Sequence, residues 1–192
     1  MGVSRQQAAE NRSAIVAAAE RLFRARGVEA VGLAELMKEA GFTQGGFYNH
    51  FKSKDALVAA VMEKAMEDYA DSPNAGSLAK QAARYLSTRH RGNVEAGCPL
   101  SGFAGDVPRM SDAARASYTR GLAAYLRRLE AMISAEGATA KQSRHDAIAA
   151  FSQMVGALVL SRAVVSADPA FADEILEVGR RTLVDRTPPK AP

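Results

Sequence analysis

From Ile15 to Leu183 the apolar residues return at intervals of three and four and nowhere alternate with polar ones. That period is the repeat of a helix face, and its persistence leaves no stretch from which a sheet would form. Ile15, Ala18, Ala19, Leu22 and Phe23 mark the first stripe, which Gly27 closes. Leu33, Leu36, Met37 and Ala40 mark a second, two turns long, which Gly41 closes. A short helix from about Gln44 to His50 follows. Ser53 then fits an N-cap and Asp55 a first-turn carboxylate, with Leu57, Val58, Val61, Met62, Ala65 and Tyr69 carrying that helix to about Ala70. The stretch DSPNAG, 71–76, is a strong break.

Beyond the break the pattern is again helical. Leu78, Ala82, Tyr85, Leu86 and Arg89 mark one helix, 91–99 a loop and 100–107 a short piece. Ser111 fits the cap of a long helix with Tyr118, Leu122, Tyr125, Leu126, Leu129 and Ile133 on one stripe, ending at Gly137. Another long helix spans about 141–166. Asp168 and Pro169 open a last one carrying Phe171, Ile175, Leu176 and Leu183. The tail TPPKAP, 187–192, is expected to be disordered. The expectation is an all-α chain of about nine helices in two domains, 10–70 and 71–192.

Charge is concentrated at the start. Residues 1–54 hold eight Lys/Arg against five Glu, which is three of the four net positive charges of the 192-residue chain. Such a unit is compatible with nucleic acid, and equally with a solvated face. With 47% hydrophobic and 24% charged residues the chain can bury a core and stay soluble. No apolar run reaches ~18 residues and the first twelve residues have no apolar segment, so a cytoplasmic protein without a membrane span is expected. The single cysteine, Cys98, excludes an intrachain disulfide and suits a reducing compartment. His50, His90 and His145 are isolated, so neither a metal site nor a cofactor is expected.

The stretch AGFTQGGFYNHFKSKDAL, 40–57, constrains function most. Two short helices joined by a tight turn at Gly41-Phe42-Thr43 form a helix-turn-helix unit. Gly41 supplies the left-handed residue and Thr43 the cap of the second helix. Phe42, Phe47 and Phe51 can pack against the first helix. Gly45 and Gly46 each cost about 1 kcal/mol against alanine inside a helix. At a helix start they leave the backbone bare, so that it can approach a phosphate chain closely. Gln44, Tyr48, Asn49 and His50 are then left facing outward, able to hydrogen-bond to phosphates or base edges. Lys54 adds a cation at the start of the next helix. The alternative is that the two glycines only allow helices to pack tightly.

Arg12, Ile15, Ala18-Ala19, Leu22-Phe23, Gly27, Leu33, Leu36, Ala40-Gly41, Thr43, Gly45, Phe47-Tyr48, His50-Phe51, Ser53-Lys54 and Leu57 together resemble the tetracycline-repressor (TetR) family of bacterial regulators. The resemblance covers about the first third of the chain. It implies an all-helical homodimer whose N-terminal three-helix domain binds a palindromic double-stranded DNA operator. A C-terminal helical domain would dimerise and hold a small-molecule inducer of unknown identity. Carried over, Thr43, Gln44 and Gly45 head the recognition helix, with Asn49 further along it. Tyr48 and His50 match positions that touch the DNA backbone, Lys54 matches a phosphate-binding lysine, and Arg12 belongs to the same surface. Two residues depart from the pattern. Gly32 stands where the family usually has a capping Thr that also contacts phosphate, and Gly46 where Thr, Ser or Ala is frequent.

For the C-terminal two-thirds the residues speak alone. The segment 150–165 is apolar on nearly every face, which predicts a helix buried all round, in a dimer interface or as a central core helix. Gly156 and Ala157 would let a partner helix come close. Tyr85, Cys98, Phe103, Tyr118, Tyr125 and Phe151 are candidates for an inducer pocket and equally for plain core. Cys98, in the loop AGCPLSG beside a helix start, is either a reactive thiol or a small buried hydrophobe. Two further functions stand beside DNA binding. One is a thiol-dependent enzyme using Cys98, with His90 or His145 as base and Asp106 orienting it. The other is a helical ligand-binding protein without DNA binding.

Overall fold

The computed structural model describes residues 4–70, 76–135 and 137–184. Over them the chain is all-helical: α1 Arg5–Arg26, α2 Leu33–Glu39, α3 Lys54–Ala70, α4 Leu78–Tyr85, α5 Thr88–Gly92, α6 Pro99–Gly102, α7 Asp112–Ala135, α8 Ala140–Val164 and α9 Pro169–Val184. Two 3₁₀ segments, Gln44–Asn49 and Val107–Arg109, lie between them. Most of the expected break at 71–76, and the whole expected disordered tail 187–192, fall outside the described residues.

The chain divides into two compact units, and not by a single cut near residue 71. Met1–Asp71 and Val94–Gly121 form the first, Ser72–Asn93 and Leu122–Pro192 the second, so α7 contributes to both. No periodicity in the sequence marks 94–121 as returning to the N-terminal helices. The return is made by side chains far apart in the chain.

In the first unit, Ser4 caps α1 by accepting from the Gln7 N–H. Ile15, Val16, Ala18, Ala19 and Phe23 form its buried stripe. α2 ends in a Schellman motif: the Phe42 N–H donates to the Met37 carbonyl and the Gly41 N–H to Lys38, with Gly41 at φ +84°. Ser53 caps α3, accepting from the Ala56 N–H at 3.1 Å. α3 buries Leu57, Val58, Val61, Met62, Ala65 and Met66. Where α3 meets α7 the packing is tight, since a Cβ on Gly121 would lie 2.3 Å from the Met66 sulfur.

The returning segment is pinned to α1 by Arg24. Its guanidinium donates to the Gly97 carbonyl (2.7 Å) and to Glu20 one turn back (2.7 Å). A side chain at Gly102 would meet the Arg24 stem at 3.2 Å, so this glycine makes room for the arginine. Burial lowers the Arg24 pKa, opposed by Glu20, and raises that of Glu20, opposed by Arg24. The Tyr118 hydroxyl donates to the Leu100 carbonyl. Its pKa is pushed up to about 12, first by burial and then by the nearby Cys98.

In the second unit the predicted helix through Leu86 and Arg89 is two helices. The backbone breaks at Leu86 (φ −92°, ψ 53°), and Ser87 serves both ends. Its hydroxyl donates to the Arg84 carbonyl and accepts the His90 N–H. Arg162 of α8 then satisfies the carbonyls of His90 (2.8 Å) and Arg91 (3.1 Å) at the end of α5, where a helix leaves its last acceptors unpaired. Arg91 in turn pairs with Asp173 of α9.

α8 corrects an expectation. It is not buried all round in the chain by itself: Val159 is 45% exposed, Leu160 59% and Ile148 44%. By length and composition it could cross a membrane, with mean hydropathy 1.6 over its best window. Its polar groups are instead engaged within a helical unit. Ser161 donates to the Ala172 carbonyl at 2.8 Å, and Gln153 donates to Thr182 and the Gly179 carbonyl of α9.

His90 is packed edge-on to the Tyr85 ring, 4.5 Å between centroids, and its Nδ1 donates to the Tyr85 carbonyl at 2.7 Å. Its pKa is lowered, first by burial and then by Arg162 and Arg84, against the raising effect of that hydrogen bond. A depressed histidine pKa makes the native state the weaker proton binder. The stability His90 contributes is therefore present above 6.5, the ordinary histidine value, and lost as pH falls toward its folded value. The urea midpoint should drop between about pH 7.5 and about pH 5.5, and His90→Asn should shrink that drop.

Candidate nucleic-acid interface

The 3₁₀ segment Gln44–Asn49 is held by its aromatic underside. Phe47 is fully buried and Phe51 nearly so, their rings stacked with centroids 5.8 Å apart. Tyr48 meets Phe47 edge-on at 5.3 Å yet remains 69% exposed. Phe42 is half-buried, its ring 6.4 Å from that of His50. Burying one face of so short a segment forces its neighbours outward. Thr43, Gln44, Gly45, Tyr48 and Asn49 are exposed and His50 half-buried.

The surroundings of the two glycines bear on the tight-packing alternative. A Cβ on Gly45 would meet nothing within 4 Å. One on Gly46 would make only ordinary contact, 3.8 Å from Met37 Cε and 3.9 Å from Thr43 Oγ1. Neither glycine is required by packing inside the chain, so the bare surface they create faces outward. Thr43 corrects an expectation. It occupies the cap position in extended conformation, but its hydroxyl accepts no capping hydrogen bond. Gly32, likewise extended, provides no side-chain cap to α2, as its lack of a hydroxyl requires.

The cations sort by partner. Arg21 pairs with Glu39 at 2.8 Å, Arg26 with Glu35, and Arg24 with Glu20, so three of the eight N-terminal cations are compensated. Among the described residues no carboxylate pairs with Arg12, Lys52 or Lys54. Two of these three are steered by rings of the small aromatic core. The Arg12 guanidinium lies 4.5 Å over Phe51, and Lys54 Nζ lies 5.9 Å from the Phe23 centroid. α1, the 3₁₀ segment and the start of α3 thus present uncompensated positive charge around exposed amide and hydroxyl groups and the half-buried His50 imidazole. Such a surface suits a polyanion that also offers hydrogen-bonding edges.

The candidate pocket residues divide between the two units. Cys98, Phe103 and Tyr118 belong to the first, with Cys98 and Phe103 buried and Tyr118 half-buried. Cys98 sits at the head of α6 as a buried thiol. Tyr85, Tyr125 and Phe151 come together in the second, with the Phe151 ring 4.7 Å from Tyr125 and 6.0 Å from Tyr85. Buried Gln81 donates to the Tyr125 hydroxyl at 2.7 Å. A cavity of about 490 Å³ in the same unit is lined by other residues, among them Leu86, Ser87, Asp173, Glu177 and Arg180. The sequence offered no signal for it, because it opens at the unforeseen break between α4 and α5. The Asp106 carboxylate, expected in the thiol reading to orient a base, accepts from the Val28 N–H and from Arg109.

Comparison with known proteins places the N-terminal segment and the fold among known ones. Residues 15–61 match the family model for bacterial regulatory proteins, tetR family. Over 66 residues the chain is 39% identical to the HTH-type transcriptional regulator TtgR of Pseudomonas putida, covering 34% of this chain and 31% of that one. Over 60 residues it is 42% identical to the HTH-type transcriptional regulator AcrR of Shigella flexneri, covering 31% and 28%. The alignment therefore spans about a third of the length of these curated relatives. Across the whole chain the structure resembles the reduced form of Escherichia coli NemR, with TM-score 0.71, 21% identity and coverage of 93% and 98%. It also resembles a TetR transcriptional regulator from Legionella pneumophila, with TM-score 0.71, 18% identity and coverage of 95% and 100%. At such identities the likeness establishes the fold.

Phe47 and Tyr48, adjacent in sequence, should separate in their effects. Phe47→Ala should cost about 3–5 kcal/mol of unfolding free energy, as removal of a fully buried aromatic does. Tyr48→Ala should stay within about 0.5 kcal/mol of the parent. Chemical denaturation of the two variants measures both.

Proposed function

We propose that this chain, whose residues 15–61 match the family model for bacterial regulatory proteins, tetR family, is a ligand-responsive, sequence-specific DNA-binding transcriptional regulator of that family. It acts in the cytoplasm as a repressor, held on a palindromic operator until a small-molecule inducer releases it. The observation that carries this reading is the open face of the 3₁₀ segment. Two glycines that packing does not require lie there beside exposed Gln44, Tyr48 and Asn49.

In this reading the bare turn at Gly45 lets the backbone approach the duplex, and Thr43 and Gln44 reach base edges in the major groove. Tyr48 and His50 contact phosphates, while Arg12 and Lys54 add charge to the same backbone. One such segment reads only a few base pairs. Two, placed ~34 Å apart in a dimer, reach successive major grooves on one face of the duplex.

The dimer surface is the apolar face that one chain leaves uncovered: Ile148, Val159 and Leu160 of α8 with Phe171 and Val178 of α9. Side chains of this size exposed together mark an interaction surface. Gly156 supports this, since a Cβ there would meet nothing in the chain. Ala157, half-buried, already lies against Gly179 of the same chain on one side. An inducer bound in the second unit would act by changing the separation of the two reading segments.

Selection from random duplexes should yield one palindromic sequence. Its affinity should fall steeply between about 50 and about 200 mM salt, with Lys54→Ala lowering the log–log salt slope by about 1. Failure to enrich any sequence would remove the reading. Independently, Leu160→Asp should convert a dimer to a monomer in sedimentation and abolish tight binding to the full palindrome; an unchanged dimer would place the interface elsewhere.

A further inference from the structure

We infer that Asp106 is a positioning residue for DNA reading, holding the loop that delivers α2 to the helix-turn-helix in place of the side-chain cap that Gly32 cannot supply. The inference rests on the DNA-binding function proposed above, and its structural half can be measured without DNA.

The chain crosses from α1 to α2 in residues 27–32. Gly27 turns it at φ +83°, and Val28 and Val31 are buried along the way. A buried backbone N–H needs an acceptor. For Val28 that acceptor is Asp106 Oδ2, at 3.3 Å and 78 residues away in the chain. The carboxylate also lies against Gly27, where a Cβ would be 3.7 Å from Oδ2. Asp106 is itself fixed from behind. Its N–H donates to the Phe103 carbonyl, its carbonyl accepts the Arg109 N–H, and its Oδ1 accepts from the Arg109 guanidinium at 2.8 Å. The side chain is only 18% exposed, which shields its hydrogen bond from competing water.

α2 needs such support. It has seven residues, too few to persist by its own hydrogen bonds. Gly32 adopts the extended backbone of an N-cap (φ −79°, ψ 151°) without a side chain to act as one. Nothing lies within 4 Å of a Cβ at that position, so the missing cap is a matter of chemistry and not of space. Any loosening at Leu33 would reach the reading segment through α2. Buried Met37 of α2 lies beside Gly46, and the carbonyls of Met37 and Lys38 hold the turn into that segment. Asp106 therefore steadies, from outside the motif, an element that its own sequence leaves under-capped.

The test uses the full chain, amide hydrogen exchange and the duplex enriched by the parent protein. Asp106→Ala should speed exchange of the amides from Val28 to Glu35 about tenfold, leave those of α8 and α9 unchanged, and weaken affinity for the duplex about tenfold. The salt slope and preferred sequence should not change, because Asp106 touches no phosphate in this account. Asp106→Asn keeps an oxygen for the Val28 N–H and should resemble the parent. Gly32→Thr in the Asp106→Ala background, which restores a cap, should recover both exchange protection and affinity. It should recover folding too if Asp106→Ala alone does not fold. Unchanged exchange at 28–35 in Asp106→Ala, an Asn variant as impaired as the Ala variant, or absence of rescue by Gly32→Thr each overturns the inference. If no duplex is enriched, the DNA-reading function fails, while the exchange and rescue measurements still decide what Asp106 does.

Discussion

Burial of Phe47 is the contact on which the N-terminal unit depends. A six-residue 3₁₀ segment has no stability of its own, because nucleating a helical turn fixes several dihedrals for a single hydrogen bond. What holds it is one fully buried ring stacked on Phe51, with Met37 of α2 lying beside Gly46. With that face fixed, the orientation of every other side chain in the segment follows. Tyr48 projects outward because Phe47 cannot, and Gly45 leaves bare backbone between exposed Gln44 and half-buried Gly46. The exposed chemistry is a by-product of the buried packing, and the two can be altered independently.

The same division runs through the charges. Arg21, Arg24 and Arg26 lie within six residues of one another, and each is paired with a glutamate of the first unit. They join helices. Arg12 and Lys54 lie over aromatic rings without a carboxylate, which holds the side chain in place and leaves its charge for an external partner. A net count of three positive charges for the segment conceals this difference between cations that stabilise the fold and cations that remain to act.

The N-terminal site was legible to a large extent because its signals are local. Gly41 at positive φ, Ser53 as cap and the i, i+4 pair of Phe47 and Phe51 are each readable within a few residues, and each is found in the structure. The capping role expected of Thr43 is absent, although its backbone adopts the cap conformation; a favourable residue at the right position does not ensure the bond. The pocket residues were far less legible. Aromatic side chains between 78 and 151 were all reasonable candidates by type, but type does not say which unit a side chain joins. Cys98, Phe103 and Tyr118 went to one and Tyr85, Tyr125 and Phe151 to the other.

By itself the sequence determined the helical class, the position and phase of nearly every helix, and the place of the tight turn at Gly41 with the short aromatic segment that follows it. These follow from a 3.6-residue period and from caps and turns whose partners lie within one or two helical turns. Tertiary structure alone decided that 94–121 packs with the N-terminal helices and that Asp106 accepts from Val28. It alone showed that Ala157 lies against Gly179 while Leu160 remains exposed. Those outcomes depend on which surfaces meet across tens of residues. Periodicity shows that a face is apolar; it carries no information about which distant element will cover that face, or whether any element of the same chain will.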